Sequence, residues 1–239
     1  VRLLVASDLH YDLRKLDWLL SEAGGFDLVA LSGDLLDISS PVPLQAQIEV
    51  TRRYLEQLAE RTEVAVCSGN HDLDHRRDDG EKATAWLQRT TSPRLHVDGA
   101  NVLLDDTLVS VLGWWEGPNT QAALRTQLAD AAGLERARWV WLYHSPPEGL
   151  LSWTGSRHFG DDVAAELVAE HQPDVVLCGH IHQSPFTPEG SWHERRGPTR
   201  LFNAGRQQGA VPSHIAIDLA AGEARWWSIG AEETVQLTD

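Results

Sequence analysis

Five short apolar runs in this chain each lead into a residue that can hold a metal ion, and that repeated juxtaposition constrains the fold more than any other feature. Residues 2–6 run into Asp8-Leu9-His10, and residues 28–31 into Gly33-Asp34. Residues 64–67 lead to Gly69-Asn70-His71-Asp72, 139–143 to His144, and 175–178 to Gly179-His180-Ile181-His182. Apolar runs of about four to eight residues bounded by polar residues or glycine read as buried strands. In open α/β sheets, ligands bind beyond the carboxyl ends of the strands. Glycine there lets the chain leave the sheet sharply and swing the next side chain into the crevice. Five segments far apart in sequence are therefore expected to meet at one edge in space.

Between the runs lie stretches with helical spacing of apolar residues, at 13–22, 44–61, 80–89, 121–132 and 161–170. Pro41-Val42-Pro43 is a suitable entry to the second. Two acids open the last, where they suit the helix dipole. Residues 101–112 read as two strands turning at Asp105-Asp106. The tail, at 200–202, 215–219 and 224–229, reads as antiparallel strands joined by glycine-containing turns. Strand–helix alternation followed by strands predicts an α/β protein with a partly parallel sheet system and helices outside. No repeat, low-complexity tract or linker divides the 239 residues, so one domain over residues 1–239 is expected. The longest irregular segments, 145–160 and 183–199, are candidates for substrate selection.

Charge narrows the partners. With 20 Lys and Arg against 35 Asp and Glu, the net charge is −15. A protein that grips long nucleic acid usually carries a basic stripe, and none is present. A bilayer span needs about 20 apolar residues, and no run approaches that length. There is no basic-then-apolar leader, so a cytoplasmic location is expected, without membrane attachment. Cys67 and Cys178 sit in apolar runs and read as buried thiols.

The donor set selects the chemistry. Two Asp, one Asn and four His offer hard oxygens and imidazole nitrogens without a thiolate. Such a set suits manganese, with iron or zinc as alternatives, better than a structural cysteine–zinc site. Seven ligands are too many for one ion and suit two that share a bridge. Asp34 is the natural bridge, because a carboxylate has two oxygens. Two divalent ions clamp an in-line displacement at phosphorus and acidify a bound water. They also let a net-acidic protein attract a phosphate.

The ordered motifs D-x-H, G-D, G-N-H-D, H and G-H-x-H resemble the calcineurin-like metallophosphoesterase superfamily, over about three quarters of the chain. The stretch from Tyr143 to Pro147 and the Asn203-Ala204-Gly205 segment are similar to its compact phosphodiesterase branch. The resemblance implies a four-layer αββα sandwich of two mixed β-sheets flanked by helices. It implies one metal held by Asp8, His10, Asp34 and His182, and a second held by Asp34, Asn70, His144 and His180. It gives His71 the part of general acid for the leaving group. Asp72 stands where the family commonly has Glu. It reads either as a carboxylate that holds or polarises His71 or as a plain turn acid.

The expected activity is hydrolysis of a small phosphoester, more specifically a diester, by attack of a metal-bridging hydroxide with His71 protonating the departing oxygen. Candidate substrate contacts are an Arg76–Arg77 fork, Arg157 and His158 in the first long loop, and Asn203. Trp114-Trp115 reads as packing or as an aromatic wall beside the site. Two alternatives remain open at this point. One is a catalytically silent binding module on the same fold, and the other is a nuclease for short or terminal nucleic acid. Neither oligomeric state nor physiological substrate follows from the residues.

Overall fold

The computed structural model describes residues 1–238. In chain order its elements are β1 (Arg2–Ala6), α1 (Leu13–Glu22), β2 (Leu28–Ser32), α2 (Leu44–Ala59), β3 (Glu63–Cys67), β4 (His75–Arg76), β5 (Lys82–Ala83), α3 (Ala85–Gln88), β6 (Leu95–Val97), β7 (Asn101–Leu104), β8 (Thr107–Val111), α4 (Pro118–Ala132), β9 (Arg138–Leu142), α5 (Asp162–His171), β10 (Val175–Cys178), β11 (His193–Arg196), β12 (Thr199–Asn203), β13 (His214–Asp218), β14 (Glu223–Ser228) and β15 (Ala231–Gln236).

They build two mixed sheets. One runs β15-β14-β13-β1-β2-β3-β6, and the other runs β11-β12-β10-β9-β8-β7. In the first, β1, β2, β3 and β6 are parallel, with Leu3 opposite Leu28 and Val29 opposite Val64. In the second, β8, β9, β10 and β12 are parallel, and the edge strands β7 and β11 run antiparallel. The central strands are apolar on both faces because both faces are covered. Leu3, Val5, Val140 and Leu142 share the core between the sheets with Ile217 and Phe202. Their alternates Leu4 and Ala6 pack outward on Leu16, Leu19, Leu55 and Leu58 of α1 and α2. Trp139 and Trp141 pack outward with Leu124, Leu128 and Leu167 of α4 and α5. The result is the four-layer αββα arrangement. Each fully buried leucine contributes roughly 1.5–3 kcal/mol relative to exposure.

Local chemistry sets the helix ends. Asp12 caps α1 by accepting from Arg14 N–H at 3.2 Å, and Asp161 caps α5 by accepting from Ala164 N–H at 3.0 Å. Both cysteines are buried and free.

Three expectations need correcting. Residues 80–89 are not one helix. The chain turns at Gly80 (φ 88°), pairs Lys82–Ala83 with His75–Arg76, and keeps a single helical turn over α3. The Glu81 carboxylate instead accepts Asn119 and Thr120 N–H at 2.8 and 2.7 Å, capping α4 from outside. The loop expected at 183–199 contains β11, whose charged sequence His-Glu-Arg-Arg conceals an edge strand. Finally, β12 does not join the antiparallel tail; it lies parallel to β10 in the second sheet. The tail proper is β13–β14–β15, and its last strand is too exposed to show an apolar pattern.

Candidate metal centre

The carboxyl ends of β1, β2, β3, β9 and β10 converge, and the residues that follow them come within contact distance. His182 Nε2 lies 3.2 Å from Asp8 Oδ1 and 3.0 Å from His10 Nε2. His10 Nε2 is 3.8 Å from Asp34 Oδ2, and His144 Nε2 is 3.3 Å from the same oxygen. Donors about 2.1 Å from a common ion lie roughly 3–4 Å apart, so these separations suit shared coordination. Two groups form. In Asp8, His10, Asp34 and His182, and again in Asp34, His144 and His180, one donor atom per residue lies within 4.8 Å of the others. Asp34 belongs to both.

Two buried atoms among the ligand candidates lack any hydrogen-bond partner: Asn70 Oδ1 and, in the second group, His144 Nε2. An orphaned buried acceptor carries a desolvation cost of about 1–3 kcal/mol that a cation would remove. The other ring nitrogen of His144, Nδ1, lies 2.6 Å from the carbonyl of Ser32. A proton on Nδ1 fixes the ring and leaves the Nε2 lone pair for a metal. The residues therefore fit divalent cations on chemistry as well as distance.

The backbone is bent to achieve this. Asp8, His10, Asp34 and His180 all have positive φ, between 45° and 67°. Such conformations cost of order 1–3 kcal/mol each and persist only where the surroundings enforce them. Glycine is needed where backbones close in. A Cβ on Gly69 would collide with Asp34 Oδ1 and come 2.8 Å from His144 Nε2. One on Gly33, at φ 86°, would strike the His144 ring.

Electrostatics prepare unequal ligands. Burial pushes His10 down to about 4 against the pull of Asp8 and Asp34. Burial and the neighbouring His144 charge take His180 to about 4 as well. Both are neutral donors near pH 7. For His144, burial is outweighed by Asp34, and its value rises to about 9. A cation at Nε2 would take the place of the extra proton that Asp34 favours. Burial alone would raise Asp8 and Asp34, but the imidazoles around them hold both carboxyls below the ordinary range.

His71 enters through its backbone as well as its ring. Its N–H donates to Asp34 Oδ1 at 2.9 Å, and its ring meets His10 edge-on at 4.6 Å between centroids. Nδ1 accepts Ile38 N–H at 3.4 Å, so the neutral ring carries its proton on Nε2. Asp37 was not singled out in the sequence. It lies 3.9 Å from His71 Nδ1 and forms a third donor group with His10 and His71. Its signal was its place three residues beyond Asp34.

Asp72 makes no bond to His71 and is no solvated turn acid. It is 1% exposed, and its carboxylate accepts four backbone N–H groups: Asp34 and Gly69 at 2.8 Å on one oxygen, Leu35 at 3.0 Å and Leu36 at 2.9 Å on the other. It ties the Asp34 loop to the Gly69 loop. Burial and the Asp34 charge raise it to about 7 against those four donors.

Arg76, Arg77, His158 and Asn203 are engaged elsewhere. Arg76 binds the Gly80 carbonyl, and Arg77 pairs with Asp79 at 3.1 Å, so their fork closes on its own hairpin. Arg77 also lines an open groove of about 780 Å³ shared with Ser68 and Trp114. His158 Nδ1 lies 2.9 Å from the Gly149 carbonyl, within its own loop. Asn203 is fully buried. It donates to Ile181 O at 3.0 Å and Ser184 Oγ at 3.1 Å and accepts Gly205 N–H, which fixes the loop carrying His180 and His182. Arg157 lies over Phe159 at 5.7 Å, and Phe159 in turn meets the His180 ring at 5.7 Å. Trp114 meets His180 at 5.4 Å and His144 at 5.7 Å, so the aromatic-wall reading of Trp114 has contacts behind it. Trp115 instead donates to Asp161 from beneath the loop.

Solved structures share this architecture. TT1561 of Thermus thermophilus superposes with a TM-score of 0.64 at 20% identity, covering 99% of this chain and 98% of that one. Purple acid phosphatase PPD1 from yellow lupin (Lupinus luteus) seeds gives 0.52 at 13% identity, over 100% of this chain and 52% of that one. At these identities the likeness is one of fold. No curated protein sequence matches the chain. The sequence pattern of the calcineurin-like phosphoesterase family matches residues 1–184, the span that carries every strand end converging on the cluster. With that match spanning most of its length, the chain belongs to the calcineurin-like phosphoesterase family.

Proposed function

We propose that this protein is a phosphodiesterase that works with two divalent cations. Asp8, His10, Asp34 and His182 would hold one, and Asp34, Asn70, His144 and His180 the other. The family supports a metal-dependent phosphoester hydrolase in general. The observation that carries the dinuclear reading is Asp34, common to two donor groups, together with the orphaned Asn70 Oδ1 and His144 Nε2. When bound, the cation pair supplies Lewis acidity, bringing the pKa of a water toward about 7 and neutralising charge at phosphorus. His71, with its proton on Nε2 and its ring against His10, is the donor for the leaving oxygen. Asp72 and Asn203 act as positioning residues, holding the ligand loops through backbone contacts. Manganese is the proposed ion, because the donors are hard and lack sulfur. The unit is proposed to be one domain, since β13–β15 from the end of the chain complete the sheet begun by β1.

The test pairs elemental analysis of the purified protein with turnover of bis(4-nitrophenyl) phosphate, 4-nitrophenyl phosphate, cyclic nucleotides and short oligonucleotides in manganese. The proposal expects two ions per chain and a preference for diesters. Bound metal with no turnover on any of them would support a binding module instead.

A further inference from the structure

Near the first donor group stand two cations, Lys15 and Arg206, that form no close ion pair with a carboxylate among the described residues. Lys15, in the first turn of α1, is 3% exposed, and Arg206 follows the Asn203-Ala204-Gly205 segment. Arg206 is anchored directly on the candidate centre, because its N–H donates to the carbonyl of His182 at 3.1 Å. Its Nε is buried and has no hydrogen-bond acceptor. Neither residue makes an ion pair within 4.0 Å of any carboxylate among the described residues. The carboxylates that act on Lys15, Asp12 and Asp8, are engaged elsewhere. Both oxygens of Asp12 are taken by Arg14, at 3.0 and 2.9 Å, and Asp8 is held by His182 and the His180 N–H. Burial and the Arg206 charge both depress the Lys15 ammonium. Two cations held near each other without a carboxylate partner repel, and an anion placed between them lowers that cost. Cations bound at the centre would sharpen the local excess of positive charge.

We propose that Arg206 and Lys15 form an anion subsite next to the centre that takes a second anionic group of the substrate, a phosphate or carboxylate carried beyond the scissile phosphoryl group. The inference rests on the phosphoesterase reading and narrows it to multiply anionic phosphoesters. Arg206, with the planar fork of its guanidinium, is the principal contact, and Lys15 contributes charge. An anion here would relieve the cation–cation repulsion.

The experiment compares binding of phosphonoacetate, which carries two anionic groups, with that of methylphosphonate, which carries one. Calorimetry on manganese-loaded protein reads both, so the result does not depend on turnover. The wild type is expected to prefer phosphonoacetate by about tenfold or more, as one added charge-assisted hydrogen bond would give. Arg206→Ala should collapse that ratio toward one, Arg206→Lys should restore part of it, and Lys15→Gln should lower it by a smaller factor. Metal content, measured on every variant, reports whether the centre is intact. A wild-type ratio near one would overturn the subsite. So would a preference that survives in Arg206→Ala, because bidentate chelation of the metals would then be its source. A ratio that collapses as expected in a protein with no esterase activity would leave the anion subsite standing and sink the hydrolase reading.

Discussion

The loops that carry the Asp and His ligand candidates and the loops that flank them are built by opposite rules. In the first, residues serve one another across the fold. The Asp72 carboxylate fastens Asp34, Leu35, Leu36 and Gly69, and Asn203 fastens Ile181. In the second, residues satisfy themselves. Arg77 pairs with Asp79 two positions on, and His158 turns back to Gly149 in the same loop. The first region carries left-handed backbone at four ligand candidates, and distant contacts enforce it. Strain held by many partners is what positions a reaction centre, whereas a self-contained loop is free to vary. The difference separates residues that should matter for metal and chemistry from those that should matter little.

The sharpest way to break this contrast is Asp34→Asn. The account expects loss of one or both ions and a fall in diester turnover of about 10³-fold or more, since several kcal/mol of Lewis-acid stabilisation go with them. Elemental analysis with steady-state kinetics checks it. Next comes His71→Ala, which should keep the metals. It should cost about 10²–10⁴-fold on esters of poor leaving groups. With nitrophenolate, which needs no proton, the loss should be much smaller. Equal losses on both would remove His71 from the acid role. Asp72→Ala should lower metal affinity by about 10–100-fold through misplaced ligand loops, without touching either ion directly. Arg77→Ala, by contrast, should move neither metal content nor stability by more than about 0.5 kcal/mol.

A further effect lies far from the centre. Tyr54 on α2 donates its hydroxyl to Asp17 on α1 at 2.6 Å, and that bond, with some burial, raises the phenol from 10.0 to about 12. A group whose value is raised in the folded state stabilises while protonated. The contribution is therefore complete below pH 10 and lost as pH rises toward 12. Tyr54→Phe should cost about 1 kcal/mol at pH 7, shrinking above pH 10, with metal content unchanged. Chemical denaturation at pH 7 and at pH 10.5 measures it.

Much of the centre was legible in the sequence because a strand end followed by Asp or His is a local signal, and five of them in one α/β chain point to one sheet edge. The apolar runs that form β1, β2, β3, β9 and β10 are the strands that position the site. What stayed hidden depends on contacts across long separations. Nothing in Gly69-Asn70-His71-Asp72 indicates that the acid faces three amides 36 to 38 residues upstream and one in its own turn, rather than the adjacent histidine. Asn203 reads as a substrate contact because amides line many sites, yet its three bonds all go to its own surroundings. Residues 80–89 carry helical spacing, but Glu81 serves another helix and the Trp86 indole N–H donates to the Asp72 carbonyl. Arg206 lies 24 positions past His182 in a segment without pattern, and only the fold brings it beside the centre.

The central claim is that Asp34 bridges two cations. Anomalous diffraction from crystals grown with manganese tests it most directly. The account predicts two peaks about 3.5–4 Å apart, one on each side of the Asp34 carboxylate, with Asn70 and His144 on the second. A single peak, or ions that leave Asn70 and His144 without a metal contact, would contradict it.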